Sequence, residues 1–319
     1  MQKVKGLHHI TAVAGEPQRN INFYMNVLGQ RLVKKTVNFD DPGTYHFYYA
    51  SQTGEPGSVM TFFPWQHMKR GTKGNGETGA SAYAIALDSY NYWLERLTSL
   101  DLNSTESERF GERVLSFSDP DGMTLELITD AAAPALPYWS NSPVPEEHAL
   151  RGFHSASLWL ASEKATGGVL ELLGYEKTAS EKDTEGERHR YRATSNTAAY
   201  IDLVIRPNKF PGQFGAGSVH HIAFRTEDDR EQLEYLEYLR EHGLNVTPVQ
   251  DRQYFHSIYF REPGGVLFEI ATDAPGFLYD EAADELGKHL KLPHWYEAKR
   301  AEIEARVAPI SNPEYDEVA

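Results

Sequence analysis

Tyr259-Phe260-Arg261-Glu262-Pro263-Gly264-Gly265-Val266-Leu267-Phe268-Glu269 reads as strand, tight turn and strand, and the rest of the chain can be parsed outward from it. An acid followed by Pro and Gly favours a turn, because Pro fixes φ and Gly accepts φ > 0. The aromatic and β-branched residues on either side suit strands. The same ending occurs twice more. Glu55-Pro56-Gly57 runs on to Phe62, and Asp119-Pro120-Asp121-Gly122 runs on to Glu126. Counting six residues from each Pro reaches Phe62, Glu126 and Glu269, which are taken as one repeated strand position.

Endings that repeat imply units that repeat, and periodicity of this kind outranks local propensity. Four openings fit: Gly6-Leu7-His8-His9, Gly79-Ala80-Ser81-Ala82-Tyr83, Gly152-Phe153-His154-Ser155 and Ser218-Val219-His220-His221. A helical stretch follows each, over 18–28, 90–99, 163–173 and 228–242. In the last, Leu233, Tyr235, Leu236 and Leu239 recur at helical spacing. Gly29, Gly174 and Gly243 stand where left-handed C-caps end helices. The third unit closes on Tyr200-Ile201-Asp202-Leu203-Val204-Ile205, a strand without the acid-Pro turn.

Residues 131–149 carry a run of three alanines and four prolines, the composition of an extended linker. The expected organisation is therefore α+β: residues 1–130 hold units one and two, 131–149 link, 150–275 hold units three and four, and 276–319 form a helical extension. That extension is expected to end in a helix over 295–307 and an acidic tail.

The chain has 319 residues, enough for two domains. Its formal charge of −15 argues against nucleic-acid and anionic-membrane surfaces, which need basic patches. No run of 18 apolar residues suggests a membrane span, and the first residues lack the apolar core of a signal peptide, so the cytosol is the default compartment. With no cysteine, disulfides and thiolate metal sites are excluded, and any metal must be held by His, Asp or Glu. The 18 Tyr and 15 Phe suit an aromatic-lined pocket, and equally an ordinary core.

His-His opens two units, at His8-His9 and His220-His221, and only the second is followed by the Glu269 ending. Side chains alternate on a strand, so one His of each pair should face a given side. Two imidazoles and a carboxylate on β-structure are what a mononuclear non-heme iron site needs, with positions left for substrate and dioxygen. Other motifs read more plainly. Arg188-His189-Arg190-Tyr191 is expected as one face of a solvated strand, with a grip on an anionic group as the lesser reading. Asp40-Asp41-Pro42-Gly43 is expected as a turn, and the Gly-rich stretch 71–79 as a flexible loop.

Taken together, the chain resembles the glyoxalase / bleomycin-resistance / extradiol dioxygenase (vicinal oxygen chelate) superfamily over nearly its whole length. Among its members it is most similar to ring-cleaving dioxygenases of the hydroquinone type. The stretches that carry this are Gly6-Leu-His-His-Ile-Thr11, Val27-Leu-Gly-Gln-Arg-Leu-Val-Lys-Lys-Thr-Val-Asn-Phe-Asp-Asp-Pro42, Pro143-Val-Pro-Glu-Glu-His-Ala-Leu-Arg-Gly-Phe-His154, Arg188-His-Arg-Tyr191, and Asp251 through Ala271. Tyr259 through Glu269 fits the extradiol signature. The same signature places a His in the window Gln250–Arg252. Here that window holds none and carries Arg252, which favours the hydroquinone type over a catechol dioxygenase.

The resemblance implies four βαβββ modules, with units one and four paired and a metal held by His9, His221 and Glu269. It implies Fe(2+), with Mn(2+) accepted by the same ligands and other divalent ions able to occupy the site as purified. His8 and His220 would then support the ligands by hydrogen bonds. Tyr259 would stabilise or protonate an oxygen intermediate, and Arg252 would hold a substrate oxygen. Thr11, of the same strand parity as His9, should reach the cavity, and Phe62, at the vacant fourth position, could stack on the ring. In the other pair of units, Ala82 or Tyr83, Glu126 and Ser155 would hold no metal. The implied partners are a small aromatic diol and dioxygen, with no nucleic acid or membrane, and a homo-oligomer is compatible. Two rival readings are a glyoxalase-like isomerase or lyase, which would want a second carboxylate where Phe62 was placed, and a non-enzymatic binder of aromatic compounds.

Overall fold

The computed structural model describes residues 3–133, 136–183 and 186–311. Unit one is β1 (Leu7–Ala14), α1 (Pro17–Asn22), β2 (Arg31–Asn38), β3 (Asp41–Ala50) and β4 (Val59–Pro64). Unit two is β5 (Glu77–Ile85), α2 (Tyr90–Ser99), β6 (Ser104–Arg109), β7 (Glu112–Ser118) and β8 (Thr124–Thr129). Unit three is β9 (Phe153–Leu160), α3 (Lys164–Leu172), β10 (Glu176–Asp183), β11 (Gly186–Arg192) and β12 (Tyr200–Ile205). Unit four is β13 (Val219–Thr226), α4 (Asp229–Glu241), β14 (Gln250–Asp251), β15 (Phe255–Arg261) and β16 (Leu267–Pro275). The fold is thus α+β, with four βαβββ units.

Within every unit the strands lie in the spatial order first, fourth, third, second. The first strands then join antiparallel, β1 with β13 and β5 with β9, giving two curled eight-stranded sheets. Each sheet takes one unit from either side of the 131–149 segment, so units one and four share a sheet and units two and three share the other. That segment is more than a tether. Trp139 and Val144 are buried, and Ser142 donates to the carbonyl of Gly29.

The helices form close to where their patterns place them. Asp228 caps α4 by accepting from the Glu231 amide, and Tyr235, Leu236 and Leu239 are buried beneath it. Leu233, expected on that face, is 48% exposed. Unit one's helix is short, because residues Phe23–Val27 continue it as a π turn. Gly29 follows at φ +68°, a left-handed end that suits a residue without Cβ.

Three loop expectations change. Residues 71–79 are tied down by bridges from Arg70 to Ala216, Thr72 to Gln213 and Asn75 to Pro211. Asp41 and Pro42 already belong to β3. Among the described residues, the extension beyond β16 is largely irregular, with single 3-10 turns at Phe277–Tyr279 and Glu297–Lys299 and one α-helix, α5 (Arg300–Arg306). It packs on unit one: buried Lys34 pairs with Asp280 at 2.6 Å and with Glu281, and Tyr45 donates to the Ala308 carbonyl. The expected acidic tail lies largely outside the described residues.

Candidate metal centre

Strand register decides what faces the hollow of the first sheet. Thr11 lies opposite His221 on β13 and beside Thr61 on β4, while Glu269 lies beside Ala223 and opposite Tyr259. With alternation, one face therefore carries His9, Thr11, His46, Tyr48, Thr61, His221, Tyr259 and Glu269. The other carries Phe47, Tyr49 and Phe62, which pack with Tyr24 in the core.

His9, His221 and Glu269 converge. His9 Nε2 and His221 Nε2 are 3.3 Å apart, and both approach Glu269 Oε2, at 3.3 and 2.9 Å. All three side chains are buried, and among the described residues they are the one group of three potential ligands close enough to share an ion. Glu269 Oε1 accepts from Ser257 Oγ, whereas buried Oε2 has no hydrogen-bond partner despite its two imidazole neighbours. An orphaned carboxylate oxygen facing two ring nitrogens is the arrangement a divalent cation fits, with each atom presenting a lone pair to one point. Burial alone would raise the Glu269 pKa. The neighbouring imidazoles outweigh burial and hold the carboxyl well below its usual range, so it is ionised and ready to bind.

The two first histidines are placed by β-bulges. On the β1–β13 ladder, Leu7 pairs with Phe224 and His9 with Ala223, so His8 is the extra residue. On the other strand, His221 and Val219 pair with consecutive residues, so His220 is extra. Strict alternation would send these side chains to the opposite face; the bulges turn them back. His8 Nδ1 lies 2.9 Å from His9 Nδ1, and His220 Nδ1 lies 2.7 Å from His221 Nδ1. If each Nε2 is kept for an ion, each ligand Nδ1–H must donate to the neighbouring Nδ1. Burial first, and the adjacent imidazole second, push His8 far down and His220 to about 3, so both acceptors are neutral near pH 7.

Beside this trio opens a cavity of about 540 Å³, whose walls include Thr11, His46, Tyr48, His220, Arg252, Phe255 and Tyr259. Arg252 Nε donates to the Tyr259 oxygen at 3.1 Å, and its Nη1 donates to Asp40 at 3.1 Å. Burial opposes the Arg252 charge, but Tyr259, Asp40 and Glu269 outweigh it and raise its pKa. Tyr259 is held protonated by burial and by the Glu269 carboxylate, which push its pKa well up. Its oxygen accepts from Arg252 and also hydrogen-bonds with Ser257. A second cavity, of about 610 Å³, shares His220 and Leu267 with the first.

Two sequence expectations are corrected here. Phe62 is fully buried among Tyr24 and Tyr49 and takes no part in the cavity. Thr61 holds the position related to Glu269, because the turn after Glu262 contains one more residue than the turn after Glu55. His46, which the sequence reading passed over, is in the wall. The available signal was its parity with Tyr48 in Tyr45-His46-Phe47-Tyr48-Tyr49.

The second sheet repeats the scaffold with other chemistry. Ala80 lies opposite Ser157 and Ala82 opposite Ser155, so Ala80 and Ser155 stand where His9 and His221 stand. Ala80, not Ala82 or Tyr83, is thus unit two's equivalent. Asp202, beside Ser157, takes the place of Glu269, and Glu126, beside Ala82, takes that of Thr61. Both acids are engaged by cations. Arg109 pairs with Glu126 at 2.7 Å, and Asp202 receives Arg190 at 2.9 Å and Arg188 at 3.4 Å. Arg188 and Arg190 are 6% and 4% exposed, so this strand face is buried rather than solvated.

Comparison with known proteins agrees with the geometry. The model of the Glyoxalase/Bleomycin resistance protein/Dioxygenase superfamily matches residues 6–127 and 151–270. The chain is 44% identical over 99% of both chains to MhqO of Bacillus subtilis (strain 168), a protein named as a ring-cleaving dioxygenase. It is 36% identical, over 95% of both chains, to a chlorohydroquinone/hydroquinone 1,2-dioxygenase of Sphingobium indicum. A crystal structure described as that of a dioxygenase from Bacillus subtilis superposes with a TM-score of 0.93 at 42% identity, covering 98% of this chain and 99% of that one.

Proposed function

The chain belongs to the Glyoxalase/Bleomycin resistance protein/Dioxygenase superfamily, and on that footing we propose that it is an iron(II)-dependent dioxygenase that opens the ring of a hydroquinone-type diol. The observation that carries this is the trio of His9, His221 and Glu269, with an orphaned carboxylate oxygen, facing a cavity that holds a charged Arg and a protonated Tyr. When bound there, iron(II) supplies a place for the substrate oxygen and for dioxygen, and a path for electrons between them.

The chain's own groups do the rest. Phe255 sits against the His8 and His9 rings and contributes an apolar wall for an aromatic substrate. His220 accepts from His221 at Nδ1, so its Nε2–H is the donor that faces outward to a substrate oxygen. Arg252 keeps its charge and orients an oxygen with a fixed donor fork. Tyr259 holds a proton at its phenol oxygen and gives it to the oxygen that gains charge as the ring opens. Arg252 occupies the window where a catechol-type site carries a His, and this favours the para-diol. Thr61 at the fourth position offers no carboxylate for a glyoxalase-like base, which disfavours the isomerase reading.

The test is anaerobic iron(II) loading followed by oxygen uptake across hydroquinones and catechols. The expected result is uptake with ring-opened product, fastest on a hydroquinone. Stoichiometric iron with no uptake on any diol would remove the reading.

A further inference from the structure

Three adjacent strands carry a row of polar side chains along the cavity wall, and none of the roles above requires it as a row. Thr11 on β1 accepts from Thr61 Oγ1 on β4 at 2.8 Å. Thr61 Oγ1 lies 2.8 Å from His46 Nε2 on β3, and His46 Nδ1 lies 2.9 Å from the Tyr48 hydroxyl. Thr11 and Tyr48, the two ends, line the same cavity as the metal trio, and so does His46.

Every link is bidirectional. A hydroxyl both donates and accepts, and an imidazole donates from one nitrogen and accepts at the other. In one sense the row runs Tyr48 to His46 Nδ1, His46 Nε2–H to Thr61, and Thr61 to Thr11. In the other it runs Thr11 to Thr61, Thr61 to His46 Nε2, and His46 Nδ1–H to Tyr48. Switching from one to the other moves one proton from end to end and leaves each residue neutral. Neutrality suits the location, since burial, with the imidazoles of His9 and His221 next, pushes the His46 pKa well down. It also keeps the Tyr48 phenol protonated.

We propose that Thr11, Thr61, His46 and Tyr48 form a proton relay that takes a proton from the substrate hydroxyl at Thr11 and returns one to a substrate oxygen at Tyr48. This rests on the ring-cleavage reading and assigns its proton route. The substrate O–H bond breaks as Thr11 accepts. Thr11 passes its proton to Thr61, Thr61 passes its own to His46 Nε2, His46 releases Nδ1–H to Tyr48, and Tyr48 gives its proton to the second oxygen. One O–H is lost and one formed, with no electron moved and no charge left in the wall. His46 acts through its neighbours and changes only tautomer, as the residue that makes the row conduct in both senses. It thereby supplies from unit one an imidazole that the Gln250–Arg252 window of unit four lacks.

The experiment uses the iron(II)-loaded full chain with hydroquinone, and compares His46→Gln, Thr61→Val, their double variant and Thr61→Ser. Gln at 46 can donate and accept, but it cannot exchange tautomers. The relay predicts that each single variant keeps its iron and its KM while kcat falls about 10²-fold. The double variant should be no slower than either single, because one broken link already stops the row. Thr61→Ser should recover turnover. In mixed H2O/D2O, the parent kcat should show a bowed dependence on deuterium fraction, and His46→Gln a linear one.

Should Thr61→Val lose iron, Thr61→Ala set against Thr61→Ser makes the same comparison. The relay is overturned if kcat in the iron-replete variants stays within about threefold of the parent, or if the two losses multiply in the double variant. A parent chain that takes up no oxygen with any diol overturns the ring-cleavage reading itself, and the relay with it.

Discussion

Glu269 and Glu126 each stand six residues after the Pro of a similar turn, yet they sit in different chemistry. Glu269 has an orphaned oxygen facing two imidazoles, whereas Glu126 is answered by Arg109 at 2.7 Å and has Ala82 beside it. Glu269→Gln is therefore expected to lose most bound metal, and Glu126→Gln to keep it, as read by metal analysis after dialysis. Equal losses would show that the two sheets share the role. Tyr259→Phe is expected to retain metal and substrate binding while kcat falls about 10²-fold, measured by single turnover on the iron-loaded variant. Turnover at the parent rate would end the assignment of Tyr259 as the proton donor. At this scale the sequence disclosed the residue types but not their directions. His8 and His220 are expected to support the ligands by hydrogen bonds, and they do lie against them; the bulges that place them there leave no clear mark in the sequence. Phe62 shares the spacing from Pro with Glu269, but one extra residue in the Glu262 turn makes Thr61 the structural equivalent.

Strands and turns show how a repeated element is kept after its chemistry changes. In the second sheet, Asp202 takes the Glu269 position and is held by Arg190 and Arg188. Removing one partner of a buried ionic cluster leaves charge without compensation, so Asp202→Ala is expected to destabilise the fold by about 3–5 kcal/mol. Urea unfolding checks this, and a change below about 1 kcal/mol would show the cluster to be dispensable. The turn before β8 carries a pH signature. Asp119 accepts from the amides of Asp121 and Met123, and burial pushes its carboxyl up to about 6. The folded state then binds more protons than the unfolded state from about pH 4 to 6, so this group makes stability fall as pH rises through that window, by at most roughly 1.4 kcal/mol per unit. Asp119→Asn keeps an acceptor for the amides and should flatten that part of the stability curve; an unchanged slope would place the proton elsewhere. The elements themselves were legible, because alternating strands, Gly-ended helices and acid-Pro turns are local features. The burial of Arg188 and Arg190 is not legible locally, because it depends on β12 folding back to set Asp202 against both and on the distant β7 bringing Glu112 to Arg190.

Across the whole molecule, the pairing of first strands turns four units into two sheets and brings His9 and His221, distant in sequence, within 3.3 Å. Repetition was visible in the chain, but the partnership of units was not. It depends on antiparallel contact between β1 and β13 that no local pattern encodes, and it was anticipated only through resemblance. The extension carries the expected C-terminal helix, α5, and is fixed as well by contacts to unit one that no local pattern announces, with Lys34 buried against Asp280 and Glu281. Among the described residues, no helix is long and apolar enough to cross a membrane. On the proposed function, an ion held by His9, His221 and Glu269 directs dioxygen into the ring of a diol. The most direct test is to run the iron(II)-loaded chain on hydroquinone under isotopically labelled dioxygen and to follow the label by mass spectrometry. The expected result is a ring-opened product carrying both labelled atoms, formed by the parent chain and absent with Glu269→Gln. Recovery of quinone and unlabelled carbon skeleton, at equal rates in both proteins, would contradict it.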